Sequence, residues 1–305
     1  MSKILQNYVR SFLCMVLAAF VLGGYDALAQ GVVTGEWKAD VRTEKAEQSD
    51  KIYISFVRRH EKGGKNWIDR TYSYDEMEGL SREQALSGGN TRFSLVHEAG
   101  TIDCEGAFQD GRGKGTFRFT PNMQFVSAMK SRGFDFEKTS VRSTHSVEDR
   151  LFTAVTLNVT TALADDLLSA NFGQLDVDDL FKAAIFKVDS RFMREMKDSG
   201  YPNLGMDELV KARIFKIDAE YVRQIVQMGF GSQPFESLVK MRIFKVTPEF
   251  ISEVRAEGLT DLNVEDLVKM RIFKIDSDFI RQARSEGVPI EVEKLVQRRI
   301  GVFGR

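Results

Sequence analysis

From Leu180 onward the chain repeats itself every 29 residues: LFKAAIFKV at Leu180, LVKARIFKI at Leu209, LVKMRIFKV at Leu238 and LVKMRIFKI at Leu267. A shorter copy, LVQRRI, starts 28 residues later at Leu295. A fixed period of this length marks stacked supersecondary units, each too small to bury its own apolar face. One compact core is therefore not expected for this part of the chain. Its surface should consist of columns in which one residue type recurs from unit to unit.

Counting from the leading Leu as position zero, the punctuation of each unit is legible. Position nine is Asp189, Asp218, Thr247 or Asp276, all residues that cap helix N-termini. Pro248 follows its cap at the helical position that tolerates proline. Position twenty is Gly200, Gly229, Gly258 or Gly287, and glycine readily takes the left-handed conformation that ends a helix. Each unit thus reads as a short helix A from Leu to Lys, a tight turn, a short helix B, and a loop. The template also finds a diverged copy at Leu151, with Thr160 as cap and Asn171 in place of glycine. Further upstream, Thr120-Pro121 through Gly133-Phe134 echoes a helix B. The expected array occupies residues 120–305, with units near Leu151, Leu180, Leu209, Leu238 and Leu267 and a partial one at Leu295.

Within helix A, positions zero, one, five and eight (Leu238, Val239, Ile243 and Val246 in one copy) are expected to face the core. Positions four and seven, three apart, are expected to share one side. There Arg213, Arg242 and Arg271 would stack beside Lys216, Lys245 and Lys274. This column reads either as a basic ladder for an acidic partner or as a solvated face balanced by acids such as Glu236 and Glu265. Phe215, Phe244 and Phe273 at position six read either as an exposed aromatic ladder or as packing between units. These nine residues are the candidate partner-binding positions.

Upstream, over residues 31–119, apolar residues alternate. Ile52, Ile54 and Phe56 oppose Tyr53, Ser55 and Val57, and Phe93, Leu95, Phe117 and Phe119 follow the same rule. Period two predicts half-buried strands, and Asp110-Gly111 between two such runs predicts a hairpin. The expectation is an antiparallel β domain of five or six strands. The fold class is therefore α+β: an N-terminal antiparallel β domain followed by an α-solenoid-like array of short helix pairs. Gly106, Gly111, Gly113 and Gly115 would suit a phosphate loop only if a helix followed; a strand follows, which favours the turn. His60 and His97, each followed by Glu, could share a metal, but metal-ligand spacing is lacking. No nucleophile signature accompanies the three histidines. No catalytic, metal or cofactor residue is assigned, and a non-enzyme is expected.

Residues 1–29 read as an export signal, with Lys3 and Arg10 before the apolar run Phe12–Gly24 and Ala27-Leu28-Ala29 as the cleavage site. Cys104 would then be the single cysteine left, so the fold must hold without an internal disulfide. Formal net charge is −1, which together with export argues against nucleic acid. No later segment is apolar enough to span a membrane. A periplasmic or extracellular location is expected.

The stretch Leu238 to Ile251, LVKMRIFKVTPEFI, resembles repeats that follow the peptidase domain in some BlaR1-type sensor proteins and occur in exported bacterial proteins. Phe244-Lys245 stands where that pattern carries His-Gly, and no HExxH is present, so no catalytic residue carries over. The resemblance implies an accessory or sensory envelope module with a protein or peptide partner. A carrier of a small apolar ligand in the β domain, or a hydrolase at the domain junction, are the competing expectations.

Overall fold

A computed structural model describes residues 33–42, 50–59, 65–138 and 146–301. The signal-like segment, His60 and His145 lie outside the described residues. The fold is α+β. The chain divides into two compact units: residues 1–165 with 174–185, and residues 166–173 with 186–305.

The first unit is built on one curled antiparallel sheet of β1 (Val33–Asp40), β2 (Lys51–Arg59), β3 (Lys65–Ser73), β4 (Met77–Glu78), β5 (Gly89–His97), β6 (Gly100–Gln109) and β7 (Arg112–Pro121). The strand order is β3-β2-β1-β7-β6-β5-β4. The alternating residues behave as expected: Ile52, Ile54, Phe56, Phe93, Leu95, Phe117 and Phe119 are buried. The strand total exceeds the expected five or six because β4, with two residues, is too short to show a period. A helical turn α1 (Arg82–Ser87), capped by Ser81, connects β4 to β5.

The glycine-rich stretch is explained by the close approach of facing strand backbone and of aromatic rings, Trp37 above all three glycines. Gly106 and Gly115 face each other across β6 and β7, and Gly113 lies two residues before Gly115. A Cβ added at Gly113, Gly106 or Gly115 would sit 2.6, 2.8 or 2.7 Å from the Trp37 indole. Trp37 is fully buried on this strip, and its Nε1–H donates to Glu105 O at 3.2 Å. The turn itself is made by Asp110 and Gly111, with φ of 50° and 75°, as in a hairpin that follows the sheet twist. The glycines make a slot for an indole within the strands, Gly106 in β6 and Gly113 and Gly115 in β7.

Helix α2 (Met123–Lys130) follows the sheet, capped by Asn122 and not by Thr120, which remains in β7. Gly133 ends this half unit with φ of 92°. Helix α3 (Val147–Leu157) carries the diverged copy at Leu151 and packs on the sheet. Its Phe152 stacks on Phe117 at 5.2 Å and meets Phe56 and Phe119 edge-on at 6.0 and 5.4 Å. The last carbonyls of a helix lack internal partners; here side chains of the sheet supply them. Tyr72 Oη and Arg70 Nη1 donate to Thr156 O at 3.1 and 2.6 Å, and His97 Nδ1 donates to Val155 O at 2.6 Å. Arg58 pairs with Asp149 in the first turn. This copy packs on a sheet through Phe152, at the position where the copies from Leu209 onward carry Val. α4 (Thr161–Ser169) follows Thr160, whose Oγ1 accepts from Leu163 N at 3.1 Å, and Asn171 takes φ of 51°. Most of α5 (Val177–Phe186) also belongs to this unit.

The second unit contains α6 (Ser190–Asp198), α7 (Met206–Phe215), α8 (Ala219–Ile225), α9 (Phe235–Ile243), α10 (Pro248–Ala256), α11 (Val264–Ile272), α12 (Ser277–Ser285) and α13 (Val292–Arg299). Asp189, Asp218, Thr247 and Asp276 each accept a backbone N–H three residues on, at 2.8, 2.8, 3.3 and 2.9 Å. Gly200, Gly229, Gly258 and Gly287 have φ between 77° and 98°. The α7, α9, α11 and α13 helices pack on one another in sequence, and α10 packs on α12.

Two expectations about helix A fail, for one reason. The helix begins three residues before its Leu, at Met206, Phe235, Val264 and Val292, all buried. With that position included, the buried set is minus three, zero, one and three; Ala212, Met241 and Met270 supply the last. At about 100° per residue, the centre of this arc falls within about 20° of position four. The arginine therefore points inward. Position five lies about 115° away and points out: Ile214, Ile243, Ile272 and the equivalent Ile300 are 41, 37, 52 and 54 % exposed. Position eight remains buried, as Ile217, Val246 and Ile275.

Candidate binding surface

The nine candidate residues separate into three kinds of environment. The arginines are structural clamps between units. The Arg213 guanidinium lies 3.8 Å from the Phe192 ring centre, Arg242 lies 3.6 Å from Tyr221, and Arg271 lies 4.7 Å from Phe250. Each aromatic is position twelve of the preceding unit. The terminal copy repeats the arrangement with Arg299 over Phe279 at 4.4 Å. The same guanidinium also reaches back to the end of the preceding helix A. Arg242 Nη2 donates to Lys216 O at 2.7 Å, Arg271 Nε to Phe244 O at 3.1 Å, and Arg299 Nε to Phe273 O at 2.8 Å. A cation held over a ring face and on a helix C-terminus gains from both the ring quadrupole and the helix dipole. Burial pushes the Tyr221 phenol up to about 12, against a smaller opposing effect of Arg242.

The lysines at position seven do not share the arginine side. They stand past the helix end, in left-handed backbone: φ is 53° at Lys216, 54° at Lys245 and 52° at Lys274, and 55° at Lys187. Position seven of the diverged copy is Asn158, with φ of 52°. This is a helix end in which the N–H of position eight returns to the carbonyl of position three: Ile217 to Ala212, Val246 to Met241 and Ile275 to Met270, each at 2.8 Å. The turn needs a left-handed residue there, and asparagine takes that conformation more readily than lysine does. The three lysines are exposed, and among the described residues their ammonium groups make no ion pair.

The position-two lysines contrast with them. Lys211 pairs with Glu236 at 2.7 Å, Lys240 with Glu265 at 2.6 Å, and Lys269 with Glu293. Each carboxylate comes from the next unit, and hydrogen bonding to it holds the Lys211 and Lys269 ammonium groups above their ordinary range. These charges cancel within the array. The aromatic positions Phe215, Phe244 and Phe273 are half-buried and form no open ladder. The exposed apolar column is the isoleucine one beside them, which sequence reasoning placed in the core. The signal that could have found it was the apolar residue at minus three, which rotates the inward arc onto position four.

In the first unit, Phe152 occupies the apolar face of the sheet. Cys104 is buried, and burial raises its thiol well above the ordinary range, so it is not poised as a nucleophile. Among the described residues no group of His, Cys, Asp and Glu side chains is placed to hold a metal ion, and no single helix is long and apolar enough to cross a membrane. Comparison with family models, curated proteins and solved structures returns no match to this chain.

Proposed function

We propose that this chain is a non-enzymatic, exported envelope protein whose helix pairs form a solenoid-like scaffold for a protein or peptide partner. The observation that carries the reading is the exposed isoleucine column. A single exposed isoleucine is ordinary on any protein. The same large apolar side chain, outward at the same helical position in Ile214, Ile243, Ile272 and Ile300, is a repeated surface feature. It serves none of the needs met by the other columns, which cap, clamp or fill. The unpaired lysines at the same helix ends give that surface a charge. The export signal read at residues 1–29 supports an envelope address. The half-buried Phe215, Phe244 and Phe273 would form the floor of the surface, and Arg213, Arg242 and Arg271 would set its spacing.

The test is capture from envelope extract by the full chain, compared with Ile243→Glu and Ile272→Glu variants. The expected result is one or more partners retained by the wild type and lost by both variants at unchanged thermal stability. An identical set of captured proteins on all three removes the reading.

A further inference from the structure

The chemistry of the surface selects the form of its partner. On the proposed reading of this face as a binding surface, we infer that its occupant is an extended acidic peptide with an apolar residue at every third position.

Helices α7, α9 and α11 pack side by side, and packed helices lie about 8–10 Å apart. Equivalent residues on successive helices therefore recur at that interval. An extended chain advances about 3.1 Å per residue as polyproline II and about 3.3 Å as a strand. Three residues of extended chain thus cover about one step of the column, about 9–10 Å. A helical partner returns an apolar residue to the same face every seven residues, about 10.5 Å, which overshoots the step by about 0.5–2.5 Å, so its register drifts by that amount at each unit. A polyproline II segment also returns to the same face every third residue, so one side chain in three meets Ile214, Ile243 and Ile272 in turn.

Charge supplies the second selection. Lys216, Lys245 and Lys274 stand two residues after those isoleucines, with unpaired ammonium groups among the described residues. The helix end does not need them. Its carbonyls are served by the N–H of Ile217, Val246 and Ile275 and by the clamping arginines. Nor does the backbone favour them, since each lysine occupies a left-handed conformation that glycine would take without strain. A residue kept against local backbone preference in successive units, with its charge unused internally, points to an external anion. One acidic residue per tripeptide places one carboxylate beside each ammonium.

The test uses the full chain and a fluorescein-labelled (Leu-Pro-Glu)4 peptide, with (Leu-Pro-Lys)4 and a helix-forming acidic peptide of heptad period as controls. Fluorescence anisotropy should show (Leu-Pro-Glu)4 binding at least tenfold tighter than either control, and weakening as salt rises. The decisive variant is the triple change Lys216→Gly, Lys245→Gly, Lys274→Gly. It should melt higher than the wild type and bind (Leu-Pro-Glu)4 at least tenfold more weakly. A second variant, Ile243→Ser with Ile272→Ser, should lose binding by a similar factor at similar thermal stability. Equal binding of the acidic and basic peptides, or full affinity in the glycine variant, overturns the inference. So does tighter binding of the helical peptide, or residue-dependent binding to phosphatidylglycerol vesicles without binding to the peptide. Retention of Ile243-dependent capture from extract, together with failure of the tripeptide probe, would sink this inference and leave the binding reading in place. Loss of both would sink both.

Discussion

At the scale of single residues, the repeat inverts the usual preference at adjacent positions: an arginine turns in and an isoleucine turns out. Arg242 is the clearest case. Its guanidinium lies 3.6 Å from the Tyr221 ring centre and donates to Lys216 O at 2.7 Å. A cation–π contact contributes about 0.5–2 kcal/mol, and a hydrogen bond from a charged group about 1.5–3 kcal/mol. Arg242→Ala should therefore destabilise the second unit by about 2 kcal/mol, read as a lower urea midpoint. Arg242→Lys should recover less than half of that, because an ammonium neither stacks flat nor spans ring and carbonyl together. A midpoint unchanged by Arg242→Ala would return this column to the free surface. The lysines teach the converse lesson. Their left-handed backbone was hidden in the sequence because lysine does not announce that conformation, whereas Gly258 and Asn171 did.

At the scale of elements, local chemistry was legible wherever a residue type has one dominant use. Caps at Asp189, Asp218, Thr247 and Asp276, helix ends at four glycines, alternation in β2 and β7, and the hairpin at Asp110-Gly111 all stand where the residues place them. What was not legible depends on tertiary partners. The three glycines of β6 and β7 read as turn or loop formers, yet their reason is the close approach of facing strand backbone and of Trp37, distant in sequence and adjacent across the sheet. The inward arc of helix A shifted because its first turn lay outside the obvious motif. The slot for Trp37 can be tested directly. A methyl at Gly115 would approach Trp37 Nε1 to 2.7 Å and would also press on the β6 backbone. Overpacking of this kind costs typically about 1–3 kcal/mol. Gly115→Ala should lower the thermal midpoint of the first unit and shift the Trp37 near-ultraviolet circular dichroism. The indole's share is read by repeating the change in a Trp37→Phe background, where the loss should shrink. An equal loss in both backgrounds would show that no slot exists.

At the scale of the whole molecule, the unit of repetition and the unit of packing do not coincide. The diverged copy at Leu151 is a repeat by its Thr160 cap and Asn171 end, but by its contacts it completes the sheet. Phe152 is buried among Phe56, Phe117 and Phe119, and full burial of one such side chain contributes roughly 1.5–3 kcal/mol. Leu151 and Val155 are buried with it. Removing this helix would open an apolar face on the sheet and cancel the hydrogen bonds from Tyr72, Arg70 and His97 to its last turn. Stability of a domain this size is of the order of 5–15 kcal/mol, so such a loss is a large part of the total. A fragment of residues 31–121, the sheet with α1 but without α3, should therefore bind a hydrophobic dye and melt without a cooperative transition. A fragment of residues 31–185, which retains Phe152 and α5, should melt cooperatively and bind little dye. Changing Phe152→Ala in the longer fragment should lower its urea midpoint by an amount equivalent to about 3–5 kcal/mol. If the shorter fragment instead melts sharply and leaves the dye dark, the sheet carries its own core and the first helical copy belongs to the array alone.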